Sequence, residues 1–180
     1  MIALKHQAEK DVVEMPYIMT LVSLFSADSI MKYLVEKNKK EDEETLKLNG
    51  KIRIKKYHNK GAMCNIGERN QTLVAMLSLV FSAFVTGIFA ATLGRRGKSL
   101  LNMGLALILG GAYSNTYDRL KRKYVVDYLS FHVNKENCKN KMVKKSADKF
   151  GTIVFNISDF GIIIGAMFLV LSELFQKENE

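Results

Sequence analysis

Asp159, Asp127 and Asp118 stand in surroundings where ionised groups are costly. Asp159 is the only charge in Phe150–Ser172, a run of 23 residues, and Asn156 precedes it by three on the same helical face. Asn115, Asp118, Arg119 and Arg122 fall at i, i+3, i+4 and i+7, again on one face. Asp127 lies in Tyr124-Val125-Val126-Asp127-Tyr128, an apolar and aromatic setting without helical charge patterning. An ionised side chain in hydrocarbon costs at least about 2.5–3.5 kcal/mol. A dry setting favours the neutral carboxyl, and two close carboxylates resist double ionisation. One then keeps its proton at neutral pH while the other serves as base, the arrangement by which an aspartyl dyad activates water against an amide. Each acid also has a plainly structural use. Asp159 can pair with a lysine or arginine for folding, Asp127 can be an ordinary loop acid, and Asp118 can pair with Arg119 or Arg122 or cap structure.

The elements that would position these residues are apolar runs. The chain has 180 residues, 48% of them hydrophobic, a net charge of +9 and a mean hydropathy of −0.01. That average conceals a segregation. Asn70–Gly94 is 25 residues without a charge and Ser99–Tyr117 is 19. A helix crosses a hydrocarbon core of about 30 Å with about 20 residues. Four membrane helices are therefore expected, at about 15–35, 71–93, 99–117 and 151–172, in one membrane domain over residues 1–180. The first is the weakest: Met15–Ala27 is uncharged, and Asp28 and Lys32 follow at i and i+4, able to pair on one face. It also reads as an interfacial amphipathic helix. It does not read as a cleaved signal peptide, because Glu9, Asp11 and Glu14 precede it and no small-residue cleavage site follows. Gly104, Gly110, Gly111, Gly161 and Gly165 predict close packing of the third and fourth helices inside the bundle.

Two long basic connections, about 36–69 and 118–149, carry ten Lys/Arg each. In the first, Leu46-Lys47-Leu48 and Ile52-Arg53-Ile54 alternate with period 2 around Asn49-Gly50, which suits a type I′ turn and predicts a hairpin. The Lys/Arg count favours placing both connections inside the cell. The basic balance lacks any nucleic-acid motif and gives no nucleic-acid partner. Tyr124, Tyr128 and Phe131 are expected to anchor at the membrane interface. His6, His58 and His132 lack ligand spacing, so no metal is expected. Cys64 and Cys138 fall in the long connections and do not by themselves establish a disulfide.

In order, Asn115-Thr116-Tyr117-Asp118-Arg119, Val125-Val126-Asp127-Tyr128 and Phe155-Asn156-Ile157-Ser158-Asp159 resemble the lipoprotein signal peptidase (signal peptidase II) family, with its N-x-x-D-R, V-V-D-F/Y and F-N-x-A-D segments. His58-Asn59-Lys60-Gly61-Ala62-Met63 is similar to its N-x-G-A-x segment, Asp28 and Lys32 to the D-x-x-x-K of its first helix, and Gly110-Gly111-Ala112 to its G-G-A. The resemblance covers roughly residues 20–172.

It implies a mainly α fold of four transmembrane helices with a small extracytoplasmic β-hairpin or sheet between the first two. It implies an intramembrane aspartic endopeptidase of the bacterial cytoplasmic membrane, cutting diacylglyceryl-modified prolipoproteins just before the lipidated cysteine. Asp127 and Asp159 match the catalytic pair. Asn59, Asn115, Arg119 and Asn156 match polar residues lining that site, and Asp28 and Lys32 match first-helix residues near it. The resemblance also implies cytoplasmic termini and outer long connections, against the Lys/Arg count, with membrane lipids as neighbours, no metal or organic cofactor, and a monomer. The chain departs from the family pattern at Ser29, Ser114 and Ser158, where Gln, Gly and Ala are usual, which marks a divergent member. A non-catalytic lipoprotein- or lipid-binding protein of the same fold, or a small transporter with Asp159 in an ion path, is the alternative; intact Asp127 and Asp159 favour the enzyme.

Overall fold

A computed structural model of the protein describes residues 2–41, 43–62, 67–95, 97–131 and 151–177. The elements in chain order are α1 (Ile2–Asn38), β1 (Thr45–Lys47), β2 (Ile52–Asn59), a 3₁₀ turn (Glu68–Asn70), α2 (Gln71–Thr92), α3 (Ser99–Arg122), β3 (Val125–Phe131) and α4 (Ile157–Lys177). They form two compact units, one of Met1–Asp28, Ala75–Tyr117 and Ile157–Glu180, the other of Ser29–Val74 and Asp118–Asn156.

The first unit is helical. Its core gathers Tyr17 of α1, Val85 and Phe89 of α2, and Leu105, Ala106, Ile108 and Leu109 of α3. Small residues bring the backbones together as their spacing predicts. A Cβ on Gly104 would meet the Gly165 carbonyl of α4 at 2.8 Å, and one on Gly110 the Leu21 carbonyl of α1 at 2.8 Å. The outer faces are apolar: Leu77, Val80, Phe81 and Phe84 of α2 and Ile163, Met167 and Val170 of α4 are exposed. Such faces suit lipid, not water.

Three helical stretches are long and apolar enough to cross a membrane, Glu14–Asn38, Glu68–Thr92 and Ile157–Phe175. Among the described residues three of the four expected spans thus meet that measure. The third expected span does form a helix, α3, but Asn102, Ser114, Asn115 and Thr116 lower its apolar character. These residues are buried against protein, so α3 need not be apolar all round. α1 is longer than expected and runs through Pro16. The last helix begins at Ile157 and not at 151. The chain before it leaves helical geometry because Phe155 joins the sheet, its N–H donating to the Leu129 carbonyl at 2.7 Å.

The second unit is built on an antiparallel sheet of order β1-β2-β3. The predicted hairpin is present: Lys47 pairs with Ile52, Thr45 pairs with Ile54, and Asn49 and Gly50 both have positive φ. The expectation of a hairpin confined to the connection between the first two helices is too small. The second long connection, read as a loop over 118–149, supplies β3 as a third strand. β3 is buried over Val125–Tyr128, so it shows no alternation to mark it as a strand.

The β2–β3 register decides which face each residue takes. Ile54 pairs with Leu129 but Tyr57 with Asp127, so β2 carries one extra residue between these pairs. Side chains alternate faces, so a single inserted residue reverses the faces beyond it. Beyond the shift Asn59 pairs with Val125, which puts Asn59 and Asp127 on one face as diagonal neighbours. An unshifted ladder would turn them to opposite faces.

Candidate active site

Asp127 sits in the middle of β3, 2% exposed. Each carboxylate oxygen receives one amide donor. Asn59 Nδ2 donates to Oδ2 at 3.0 Å and Asn156 Nδ2 donates to Oδ1 at 2.7 Å. The Asn59 amide is oriented by its own loop, because its Oδ1 accepts the Gly61 N–H at 3.2 Å. Its NH₂ end therefore faces the acid. The Arg119 Nη2 donates to the Gly61 carbonyl at 3.3 Å, tying the same loop to α3. The sheet unit thus gathers Asn59, Asp127 and Asn156 into one cluster from three separate motifs.

Lys32 and Asp118 form a second buried group in this unit. Their 3.3 Å ion pair is deeply buried, with side chains 2% and 3% exposed. Asp118 also faces Arg122 at 3.4 Å, as the i, i+4 spacing predicts, and accepts the Val126 N–H at 3.3 Å. Asp118 therefore holds the start of β3, one residue before Asp127.

The helical unit holds the other candidates. Asp159 is half-buried in the first turn of α4, where unpaired backbone N–H groups favour an anion. Asn115 Nδ2 donates to its Oδ1 at 3.1 Å. Asp28 is fully buried, and its Oδ2 accepts the hydroxyls of both Ser114 and Ser158 at 2.6 Å. These two serines were legible in the sequence only as departures from a family pattern.

A surface cluster in the sheet unit carried no sequence signal. Glu36, at the end of α1, pairs with Lys56 and His58, each at 2.7 Å. His58 stacks on Tyr124 with ring centroids 4.0 Å apart. Burial, and then the charge and hydrogen bond of Glu36, push the Tyr124 phenol above its ordinary value. The expectation of an interfacial anchor is corrected for Tyr128, which is fully buried; of the other two aromatics so read, Tyr124 and Phe131 are half-buried and Phe131 lies against Phe155. Cys64, Cys138 and His132 lie outside the described residues. Among the described residues no three His, Cys, Asp or Glu side chains gather as a metal site.

The fold has solved counterparts. Two bacterial membrane enzyme structures, determined by the in meso method at 2.3 and 1.9 Å resolution, superpose with TM-scores of 0.71 and 0.67. The first alignment covers 92% of this chain and 91% of the other, the second 88% and 92%, each at 17% identity. The protein therefore has the fold of a bacterial membrane enzyme. The family described as Signal peptidase (SPase) II matches residues 20–175. The lipoprotein signal peptidase of Allorhizobium ampelinum is 29% identical over 160 residues, 88% of each chain. That of Halothermothrix orenii is 29% identical over 165 residues, 92% of this chain and 98% of its own. The chain belongs to the signal peptidase II family, a family of membrane proteases that process lipoproteins.

Proposed function

We propose that this protein cuts diacylglyceryl-modified prolipoproteins at the peptide bond before the lipidated cysteine, with Asp127 and Asp159 as its catalytic pair. One carboxylate takes a proton from water as the water oxygen attacks the scissile carbonyl carbon. The other, protonated, polarises the carbonyl oxygen. The tetrahedral intermediate then collapses, the C–N bond breaks, and a proton passes to the departing cysteine amine. The observation that carries this reading is the set of amide donors on the two acids, Asn59 and Asn156 on Asp127 and Asn115 on Asp159. Amides orient a carboxylate without titrating. Asn59, Asn115 and Asn156 also match the family's polar site residues, and only Ile157 and Ser158 separate Asn156 from Asp159 in the chain. Asp28, Lys32 and Arg119 are read as supports of the site.

The whole chain works as one membrane domain, with α3 as its fourth crossing. The termini are cytoplasmic and the long connections are outside, where lipobox cleavage takes place. The lysines there would meet anionic headgroups. The substrate's acyl chains would stay in lipid, worth about 0.8 kcal/mol per buried CH₂, and supply binding energy remote from the scissile bond. The enzyme is read as a monomer that needs no cofactor.

The test is cleavage of a lipidated prolipoprotein by the wild type, Asp127→Asn and Asp159→Asn. Each substitution is expected to abolish cleavage while the protein still accumulates in the membrane. Full activity in either variant sinks the dyad. For topology, an impermeant thiol reagent should label Cys138 in intact cells; labelling only in broken cells reverses the orientation.

A further inference from the structure

Asp28, Ser114 and Ser158 make a junction of three helices that the cleavage chemistry does not itself use. All three side chains are buried, at 0%, 1% and 0% exposure. Both hydroxyls donate to the same oxygen, Asp28 Oδ2, at 2.6 Å, the length of an O–H···O⁻ bond. The bonds span 86 and 130 residues of chain, so they are ties between helices and not local caps. Glycines allow close packing here. A Cβ on Gly111 would meet the Ser158 carbonyl at 2.5 Å, and the Leu24 side chain already fills the space a Cβ on Gly161 would need.

The two serines each directly precede a residue of the candidate site: Ser114 precedes Asn115, and Ser158 precedes Asp159. Asn115 and Asp159 share the 3.1 Å hydrogen bond described above. We infer that Asp28 is a positioning residue acting through Ser114 and Ser158: one buried oxygen grips the residue before Asn115 and the residue before Asp159, and so sets the geometry of the Asn115–Asp159 pair. Gly or Ala at positions 114 and 158, the usual family residues, have no hydroxyl to do this. The chain has replaced both with serine, and both serines converge on one acceptor. This rests on the reading of Asp159 as catalytic.

A shift of about 1 Å in a reacting group costs up to about 100-fold in rate. Loss of a clamp that acts only on geometry lowers kcat and spares KM, because substrate binding elsewhere is untouched. The experiment compares purified wild type, Ser114→Ala, Ser158→Ala, the double variant and Asp159→Asn on a diacylglyceryl-modified prolipoprotein, with kcat, KM and the thermal midpoint measured for each. Each single variant keeps one hydroxyl on Oδ2 and is expected to lose roughly 3–10-fold in kcat. The double variant is expected to lose roughly 100-fold, more than the product of the singles if they are mild, with KM within about twofold.

Wild-type kcat in the double variant, with Asp159→Asn inactive, overturns the clamp and leaves the peptidase reading standing. An active Asp159→Asn overturns that reading instead. A fall in activity that only tracks a lowered thermal midpoint, or that appears in KM alone, also overturns the clamp. Should the double variant not accumulate, unchanged kcat in both single variants overturns it equally.

Discussion

Replacing Lys32 with Met tests how the sheet unit holds its acid. The side chains are similar in length, so Lys32→Met removes a charge and little volume. Among the described residues it leaves Asp118, 3% exposed, facing Arg122 at 3.4 Å and the Val126 N–H at 3.3 Å. Removing one partner of a buried ion pair costs about 3–5 kcal/mol, because the remaining charge stays dry and uncompensated. Arg122 lies at the edge, with its side chain 25% exposed, and offsets part of this, so the lower end is expected. For a chain of this size each kcal/mol moves the unfolding midpoint by about 2–4 °C, giving a fall of about 6–12 °C.

The second arm is Asp118→Asn, which keeps an oxygen for Val126 but takes the carboxylate away from the Lys32 ammonium. The third combines both changes and removes both charges of the pair. The double variant should therefore be more stable than the sum of the single costs predicts, with a coupling of at least about 2 kcal/mol. Thermal unfolding of the detergent-solubilised protein, followed by circular dichroism, gives all four corners of the cycle. Strictly additive losses, or a midpoint shift below about 2 °C in Lys32→Met, would refute the argument that this pair is dry and interdependent.

Three further outcomes follow from the same geometry. Asn156→Leu removes the 2.7 Å donor from Asp127 Oδ1; a hydrogen bond to a charged group is worth about 1.5–3 kcal/mol, so kcat/KM should fall about 10–150-fold, and a change under threefold would count against it. Deleting Lys55 removes the extra residue of β2 and should turn Asn59 away from Asp127; cleavage is expected to be lost while the protein accumulates, and a fully active deletion contradicts the register argument. Tyr124 ionises above its ordinary value of 10.0, so the folded chain keeps a proton that the unfolded chain releases. That stabilisation is complete below pH 10 and lost as pH rises above it. Tyr124→Phe should lose less stability than the wild type on crossing pH 10, and equal slopes would show that Tyr124 contributes nothing.

Residue types and spacing named most of the residues of the candidate site. The order N-x-x-D-R, V-V-D-Y and F-N-x-S-D named Asn115, Arg119, Asp127, Asn156 and Asp159, and the helix and hairpin signals were local ones. Uncharged runs marked α2 and α3, and Asn49-Gly50 marked the turn that the structure builds there. Such features depend on neighbours a few residues away, which the sequence carries directly.

What escaped the sequence is long-range. The 3.6-residue period that marks Asp28 and Lys32 as possible partners says nothing of Ser114, Ser158 or Asp118, which lie 86 or more residues away in the chain and which the fold brings to them. β3 is buried on both faces over Val125–Tyr128, so alternation could not reveal it. The side of the sheet that Asn59 takes is set by one extra residue in β2, and that residue has meaning only against the register of β3. The sequence alone therefore determined which groups are present and on which elements. Tertiary structure alone decided which acid each polar group holds, because hydrogen bonds and ion pairs between distant segments exist only once packing has brought those segments together and excluded water from between them.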